Sequence, residues 1–254
     1  MSDEVLTERR GPVLVITINR PRQKNALNAA VAVEVAAAAD LLDGSDDLRA
    51  AVLTGAGGVF SAGMDLKAFL AGETPAIDGR GLCGITETPP RKPLIAAVEG
   101  WALGGGFELV LACDLVVAAE TARFGVPEVK RAMVADGGAA YLLPRRVPRA
   151  VALEMLLTGD PIDAARAAEV GLVNVVTPEG GAVDRAVGLA GLIAANGPLA
   201  VSVTKQIACA AHDWTLDQGW VEQHRLAAPV FTSEDALEGA VAFAERRSPV
   251  WRGR

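Results

Sequence analysis

Apolar positions along the chain follow two patterns, which change near residue 181. In the first part, short runs rich in β-branched residues alternate with alanine-rich stretches and glycine-rich turns, which is typical of strands and helices in a mixed α/β layer. The predicted strands cover residues 13–19, 50–56, 94–100, 114–120 and 173–177. In the second part the strand pattern disappears, and helices are predicted over 182–195, 198–211, 216–227 and 234–246.

The junction between the two parts carries a helix stop followed by a restart, Asn196-Gly197-Pro198. We therefore expect an α/β core over residues 1–195 and a helical region over residues 196–254. The least regular stretch of the core runs from Gly72 to Pro93 and is rich in glycine and proline. We expect it to be a mobile loop that could cover a pocket.

Composition and charge narrow the classes of function. Hydrophobic residues make up 51% of the chain and charged residues 22%, which indicates a globular protein with a large core. The net charge of −7, without a long basic run, argues against nucleic acid as the main partner. Neither a leader-like apolar run at the start nor an apolar stretch of about 18 residues is evident, so we expect a cytoplasmic protein without a membrane partner.

The cysteines and histidines predict neither a metal site nor a disulfide. Cys83, Cys113 and Cys209 lack metal-ligand spacing and are expected to be packed thiols. His212 and His224 are the two histidines, and they have no nearby partner at ligand spacing. We therefore expect them to be ordinary helix residues, which disfavours a histidine triad or a metal hydrolase.

Two glycine-rich stretches each follow a predicted strand and precede a helix. In the first, Gly104-Gly105-Gly106 opens an apolar helix that carries a single acid, Glu108. Free N–H groups at such a helix start can bind a negative oxygen, although a simple flexible turn would also use glycine. The dinucleotide fingerprint is incomplete here, because its final glycine is missing. In the second stretch, residues 57–69, Asp65 could be an ordinary helix cap, or a second backbone donor could converge on the same oxygen.

Three motifs resemble the crotonase superfamily, which contains the enoyl-CoA hydratases and isomerases. They are FSAGMDL (60–66), GWALGGGFEL (100–109) and RFGVPEVK (123–130), and the resemblance extends from INRPRQKNALN at residue 18 to the end of the chain. It implies a spiral of repeated β-β-α turns with a C-terminal helical oligomerisation region, assembled as a homotrimer or a dimer of trimers. It also implies a reaction without a cofactor, in which coenzyme A is part of the acyl-CoA thioester substrate.

The resemblance also assigns catalytic roles. The thioester carbonyl would sit between the backbone N–H groups of Met64 and Gly105, which would stabilise enolate charge on its oxygen. Glu108 would orient and deprotonate the attacking water, and Glu128 would deliver a proton to Cα, although two acids sharing one water titrate as a pair. Together these residues predict an enoyl-CoA hydratase, a hydro-lyase.

One position departs from the typical fatty-acid hydratases, which have glycine where this chain has Asp136. Asp136 is either the N-cap of the following helix or a third acid that faces the far end of the substrate. Carnitinyl-CoA dehydratases and dienoyl-CoA isomerases resemble this sequence in having an acid there, and the C-terminal tail also resembles the carnitinyl-CoA branch. A carnitinyl-CoA dehydratase or an isomerase using Asp136 is therefore the alternative. Trp101 is expected in the core rather than in a cage for a cationic head group.

Coenzyme A carries several phosphate charges, so an acidic protein that binds it needs local cations. By family position the candidates are Arg22, Lys24, Lys67 and Arg246, the last reaching a neighbouring subunit's site. The backbone around Ala26, Leu27, Ala62, Asp65 and Leu66 would hold pantetheine and adenine. Each cation could instead be a solvated surface charge, and a noncatalytic acyl-CoA-binding protein remains the third hypothesis.

Overall fold

The computed structural model describes residues 3–254, which form strands and helices in nearly regular alternation up to residue 177. The strands are β1 (Val5–Arg10), β2 (Val13–Ile18), β3 (Ala50–Gly55), β4 (Ala76–Ile77), β5 (Gly81–Leu82), β6 (Leu94–Val98), β7 (Trp101–Leu103), β8 (Leu115–Ala119), β9 (Arg123–Gly125), β10 (Ile162–Asp163) and β11 (Val175–Thr177). The α-helices are α1 (Ala29–Gly44), α2 (Leu66–Leu70), α3 (Gly105–Ala112), α4 (Ala139–Arg146), α5 (Arg149–Thr158), α6 (Ala164–Glu169), α7 (Ala182–Ala194), α8 (Pro198–Ala210), α9 (Leu216–Phe231) and α10 (Glu234–Glu245).

The main sheet has six strands in the order β1-β2-β3-β6-β8-β11. Only the β1–β2 pair is antiparallel, and every other neighbouring pair is parallel. Strands β3 and β6 are buried along both faces, which explains why they read as continuous apolar runs. Successive residues of β3 face opposite sides: Ala51 and Leu53 join the larger core with α1, whereas Ala50 and Val52 pack towards α7.

A second sheet has the order β10-β9-β7, and its strands β7 and β9 each directly follow a strand of the main sheet. The chain passes from β6 into β7 through Gly100, which has a φ of 56°, and β7 leads into α3. In the same way β8 is followed by β9 and by a 3-10 helix over Pro127–Arg131. These successive strand-strand-helix units confirm the predicted crotonase-type α/β fold.

The predicted strands and C-terminal helices agree with the structure apart from their ends; α9, for example, continues to Phe231. The stretch from Gly72 to Pro93 differs from the expected loop. It contains the β4–β5 hairpin, and the apolar side chains of Leu82, Cys83 and Ile85, in and just after β5, are buried in the core. Cys209 is exposed, which contradicts its expected burial; Cys83 and Cys113 are buried as predicted.

The C-terminal helices are joined to the core by polar contacts. Lys205 on α8 forms an ion pair of 2.7 Å with Asp114 at the start of β8. The tail returns to the helices, because Trp251 Nε1 donates to the carbonyl of Ala195 at 2.8 Å. In residues 3–254 no single helix meets the length and hydropathy expected of a membrane span, although the bent pair 182–194 and 198–213 does so jointly. No cluster of metal-ligating side chains occurs in that range.

Candidate active site

Three extended segments lie side by side and bring the two glycine-rich motifs together. The middle segment, 61–65, bonds to residues 24–27 on one side: Leu27 N–H donates to Gly63 O at 2.9 Å, and Asp65 N–H donates to Leu27 O at 2.8 Å. On its other side Ser61 N–H donates at 2.9 Å to the carbonyl of Trp101, the first residue of β7. Met64 and Gly105 therefore lie at the ends of adjacent segments.

The backbone N–H groups of Met64 and Gly105 are neighbours, and both are free. Neither donates a hydrogen bond to any residue in the described range 3–254. Each follows a glycine in the left-handed region, with φ of 91° at Gly63 and 53° at Gly104. Residues with a side chain rarely adopt this backbone conformation. A Cβ on Gly105 would lie 3.6 Å from Met64 N. The structure thus places two free backbone donors side by side, and an oxyanion site requires such a pair.

Glu108 lies in the first turn of α3 and is 4% exposed. Its Oε1 accepts a hydrogen bond of 3.0 Å from the N–H of Ala139, the first residue of α4. Burial raises the pKa of this carboxyl to about 7; the Ala139 and Gly137 N–H groups oppose the rise, and the charges of Glu128 and Asp136 add to it. Glu108 is therefore able to gain or lose a proton near neutral pH.

Glu128 lies against the glycine turn. A Cβ on Gly104 would lie 2.6 Å from its Oε1. Its Oε2 is buried and has no hydrogen-bond partner in the described part of the chain. Glu99, another buried acid, has both oxygens bonded to N–H groups at the start of α7. Burial also raises the pKa of Glu128, against the opposing charge of Arg131. An unpaired buried carboxylate oxygen is costly, and at a reaction site it is typical of a group that awaits a ligand.

Asp136 is exposed, and its charge helps to raise the pKa of both glutamates. The interpretation of Asp136 as the N-cap of α4 is wrong. The N-cap position belongs to Gly138, and the first free N–H of the helix, that of Ala139, is taken by Glu108. The carboxylate of Asp136 makes no hydrogen bond or ion pair within residues 3–254.

Leu82 and Gly137 complete the wall of the site, and the sequence motifs did not reveal either. A Cβ on Gly105 would lie 3.3 Å from Leu82 Cδ2, and a Cβ on Gly137 would lie 2.5 Å from Glu108 Oε2. Leu82 belongs to the irregular stretch that was expected to be a mobile loop. Its only sequence signal is an apolar pair, Leu82-Cys83, between two glycines.

Comparison with known proteins identifies the family. The sequence profile described as Enoyl-CoA hydratase/isomerase matches residues 8–254. The chain belongs to the enoyl-CoA hydratase/isomerase family. It is 41% identical over 262 residues to a carnitinyl-CoA dehydratase of Citrobacter koseri, with both chains covered completely. The crystal structure of an enoyl-CoA hydratase from Mycobacterium tuberculosis H37Rv is 57% identical, with a TM-score of 0.98 and complete coverage of both chains. A carnitinyl-CoA hydratase from Mycobacterium avium is 42% identical, with a TM-score of 0.79 and the same coverage.

In this family member the predicted coenzyme A residues fall into two groups. Eight lie on the segments beside the free N–H groups; Arg22, Lys24, Ala62, Leu66 and Lys67 are exposed there, Ala26 and Asp65 are half-buried and Leu27 is buried. Asp65 caps α2 through the N–H groups of Lys67 and Ala68, as its capping interpretation predicted, and pairs with Arg20 at 3.0 Å. Arg20 was not among the predicted residues.

Arg246 and Trp101 differ from the rest. Arg246 ends α10, is exposed and makes no side-chain hydrogen bond within residues 3–254, so its predicted role at a neighbouring subunit's site stays a prediction. Trp101 is 43% exposed, which contradicts its expected place in the core. Strand β7 is short and turns alternate side chains outwards, so Ala102 is buried instead.

The raised pKa of Glu108 gives the unliganded protein a pH-dependent stability. The carboxyl is protonated below its ordinary pKa of 4.5 in both states, and between 4.5 and about 7 the folded state retains the proton. This contribution is therefore full below pH 4.5 and is lost as pH rises to about 7, by up to about 3 kcal/mol. We expect Glu108→Gln to become progressively more stable relative to wild type between pH 5 and 8, as measured by urea unfolding. A pH-independent difference would contradict the burial effect.

Proposed function

We propose that the protein is an enoyl-CoA hydratase that adds water reversibly across the 2,3 double bond of a 2-enoyl-CoA thioester. The observation that carries this proposal is a pair of free backbone N–H groups flanked by two carboxylates, Glu108 and Glu128. A hydro-lyase is supported by the relatives named above, which are called enoyl-CoA hydratase, carnitinyl-CoA hydratase and carnitinyl-CoA dehydratase. The proposed reaction uses no cofactor, since its activating group, coenzyme A, is part of the substrate.

The N–H groups of Met64 and Gly105 receive the thioester oxygen. Attack at Cβ moves electrons through the conjugated system and builds enolate charge on that oxygen. Preorganised donors in a site closed to water stabilise such charge more than they stabilise the ground-state carbonyl. The two left-handed glycines hold the donors in place before substrate arrives, so no reorganisation is required during reaction.

Glu108 and Glu128 manage the protons. Glu108 takes a proton from the water while the water oxygen forms its bond to Cβ. Glu128 then gives a proton to Cα when the enolate collapses to the thioester. The product gains one hydrogen and one hydroxyl group, and the proton taken by Glu108 balances the one supplied by Glu128. The pKa of about 7 at Glu108 suits a group that exchanges protons near neutral pH. Dehydration uses the same groups in reverse.

The coenzyme A portion is assigned to the two segments beside the donors. Exposed cations on these segments, Arg22, Lys24 and Lys67, attract the phosphates, and the backbone of residues 26–27 and 62–66 lines the pantetheine. The N–H and carbonyl of Leu27 are already bonded to Gly63 and Asp65, so neighbouring residues must supply the polar contacts. Arg246 is assigned to the site of an adjacent subunit.

The helical region 196–254 is proposed as the contact region of a homotrimer or a dimer of trimers, with residues 1–195 forming the acyl-CoA site. Large apolar side chains of this region are exposed in the single chain, including Leu216 at 79%, Phe231 at 81% and Phe243 at 88%. Their exposure supports burial against other copies. A monomeric mass in sedimentation velocity would contradict this assembly.

The direct test is the ultraviolet absorbance of a short trans-2-enoyl-CoA, the crotonyl thioester, after addition of the purified protein. Water addition removes the conjugation, so the enone absorbance is expected to fall to an equilibrium value. The reverse experiment, with 3-hydroxybutyryl-CoA, should make the same band appear. An unchanged band despite binding of the thioester would contradict hydration of ordinary enoyl-CoA.

A carnitinyl-CoA dehydratase, or an isomerase using Asp136, is the second candidate. The free, exposed carboxylate of Asp136 close to both glutamates favours it, together with the dehydratase relatives at 41% identity. A cationic acyl head group would be stabilised by this third negative charge. We expect Asp136→Asn to slow turnover of crotonobetainyl-CoA more than that of crotonyl-CoA. Equal effects on both thioesters would remove the observation that favours this candidate.

A further inference from the structure

Gly137 lies in the turn before α4, and its missing side chain leaves the space that the Glu108 carboxylate occupies. A Cβ on Gly137 would lie 2.5 Å from Glu108 Oε2 and 3.0 Å from its Cδ. These separations are well below the optimal contact of about 3.5–4.0 Å. Gly137 is outside the left-handed region, so its backbone conformation does not itself require glycine. The close approach of Glu108 is what excludes a side chain here.

The other oxygen of the Glu108 carboxylate, Oε1, is also held in place. Ala139 N–H holds Oε1 at 3.0 Å, while the backbone turn at Gly137 lies against Oε2. Leu82 packs beside the same turn, since its Cδ2 would lie 3.1 Å from a Cβ on Gly137. Glu108 is therefore held by the turn and the start of α4, which lie 29 to 31 residues after it in the sequence.

We propose that Gly137 is a positioning residue for hydration and acts through Glu108. This role rests on the proposed function. It sets where the Glu108 carboxylate meets the attacking water. The conflict created by a methyl group at position 137 is with the far end of a flexible side chain. The protein can relieve it by turning Glu108 away without moving the backbone. Substitution should therefore spare folding and displace the reacting carboxylate.

The test compares Gly137→Ala with Gly188→Ala. Gly188 lies on the exposed side of α7, and a Cβ there would meet no atom within 4 Å. Because a misplacement of about 1 Å in a catalytic group can cost about 10²-fold, we expect Gly137→Ala to lower kcat for crotonyl-CoA hydration by that order. KM and the affinity for butyryl-CoA, a saturated probe, should change little. The Gly188→Ala control should behave as wild type.

A double variant separates positioning from a general structural effect. If Gly137 acts through Glu108, adding Gly137→Ala to Glu108→Gln should lower the residual rate no further. Independent, multiplying losses would overturn the proposal. Wild-type kcat in Gly137→Ala would also overturn it.

A crystal structure of Gly137→Ala tests the positioning without relying on turnover. The expected structure has an unchanged α4 and a Glu108 carboxylate displaced from the Ala139 N–H. An unmoved Glu108 would overturn the proposal even if the wild-type protein hydrates enoyl-CoA. If the wild-type protein fails to hydrate crotonyl-CoA, the proposed function fails, whereas the crystal structure still decides whether Gly137 positions Glu108.

Discussion

Replacing Glu108 or Glu128 with glutamine is expected to lower kcat for hydration by about 10²–10⁴-fold, the usual contribution of a positioned acid or base. Glutamine has nearly the same shape but cannot exchange the proton. At position 108 its amide oxygen can still accept from Ala139 N–H, so the contact with α4 survives. At position 128 the buried Oε2 has no partner to lose within residues 3–254. Both variants should therefore fold and bind butyryl-CoA.

The matched control is Glu154→Gln on α5. Glu154 is exposed, and its side chain makes no hydrogen bond or ion pair within the described range 3–254. Rates are measured from the enone absorbance, with circular dichroism as the folding check. The double variant should lose little more than the worse single variant, because the two acids act as a unit in one hydration reaction. Activity close to wild type in either single variant would contradict its assigned proton transfer.

Much of the fold could be predicted because the pattern of hydrophobic residues clearly indicates the strands and helices. The central strands are buried on both faces and read as continuous apolar runs, and the helices after residue 181 have clear stops and caps. The short strand β7 was missed because three residues carry too little pattern, so Trp101 was expected in the core. The β4–β5 hairpin was missed because its glycine and proline content suggests a loop, although Leu82 and Ile85 anchor it in the core.

Only the parts of the site that belong to local sequence motifs could be predicted. The glycines before Met64 and Gly105 and the acids Glu108 and Glu128 are visible as motifs. Their surroundings depend on contacts between distant segments, such as the bond from Ala139 N–H to Glu108, 31 residues apart. Nor does the sequence distinguish a catalytic acid from a structural one. Glu99 is also buried, but it caps α7, and only its hydrogen bonds show the difference.

Removing one backbone donor is the second change with a large expected effect. Gly105 is the first residue of α3, the helix position at which proline is best tolerated, and Gly104 before it has no Cβ to meet the proline ring. Gly105→Pro therefore deletes the N–H while keeping the helix start. Loss of one oxyanion donor costs about 10²–10³-fold in kcat, or about 3 kcal/mol, so a decrease of that size is expected.

Gly105→Ala is the matched comparison, since it adds a Cβ but retains the N–H. That Cβ would lie 3.2 Å from Leu27 Cδ1 and 3.3 Å from Leu82 Cδ2, and both are ends of flexible side chains. Proline adds the same Cβ, but its Cδ also takes the place of the N–H hydrogen, so the ratio of the two kcat values measures the loss of the donor together with the ring at that point. The enolate charge exists only during reaction, and KM should therefore change less than kcat. If the proline and alanine variants hydrate crotonyl-CoA equally fast, Gly105 N–H does not stabilise the reacting oxygen, and Met64 N–H must act with a different partner.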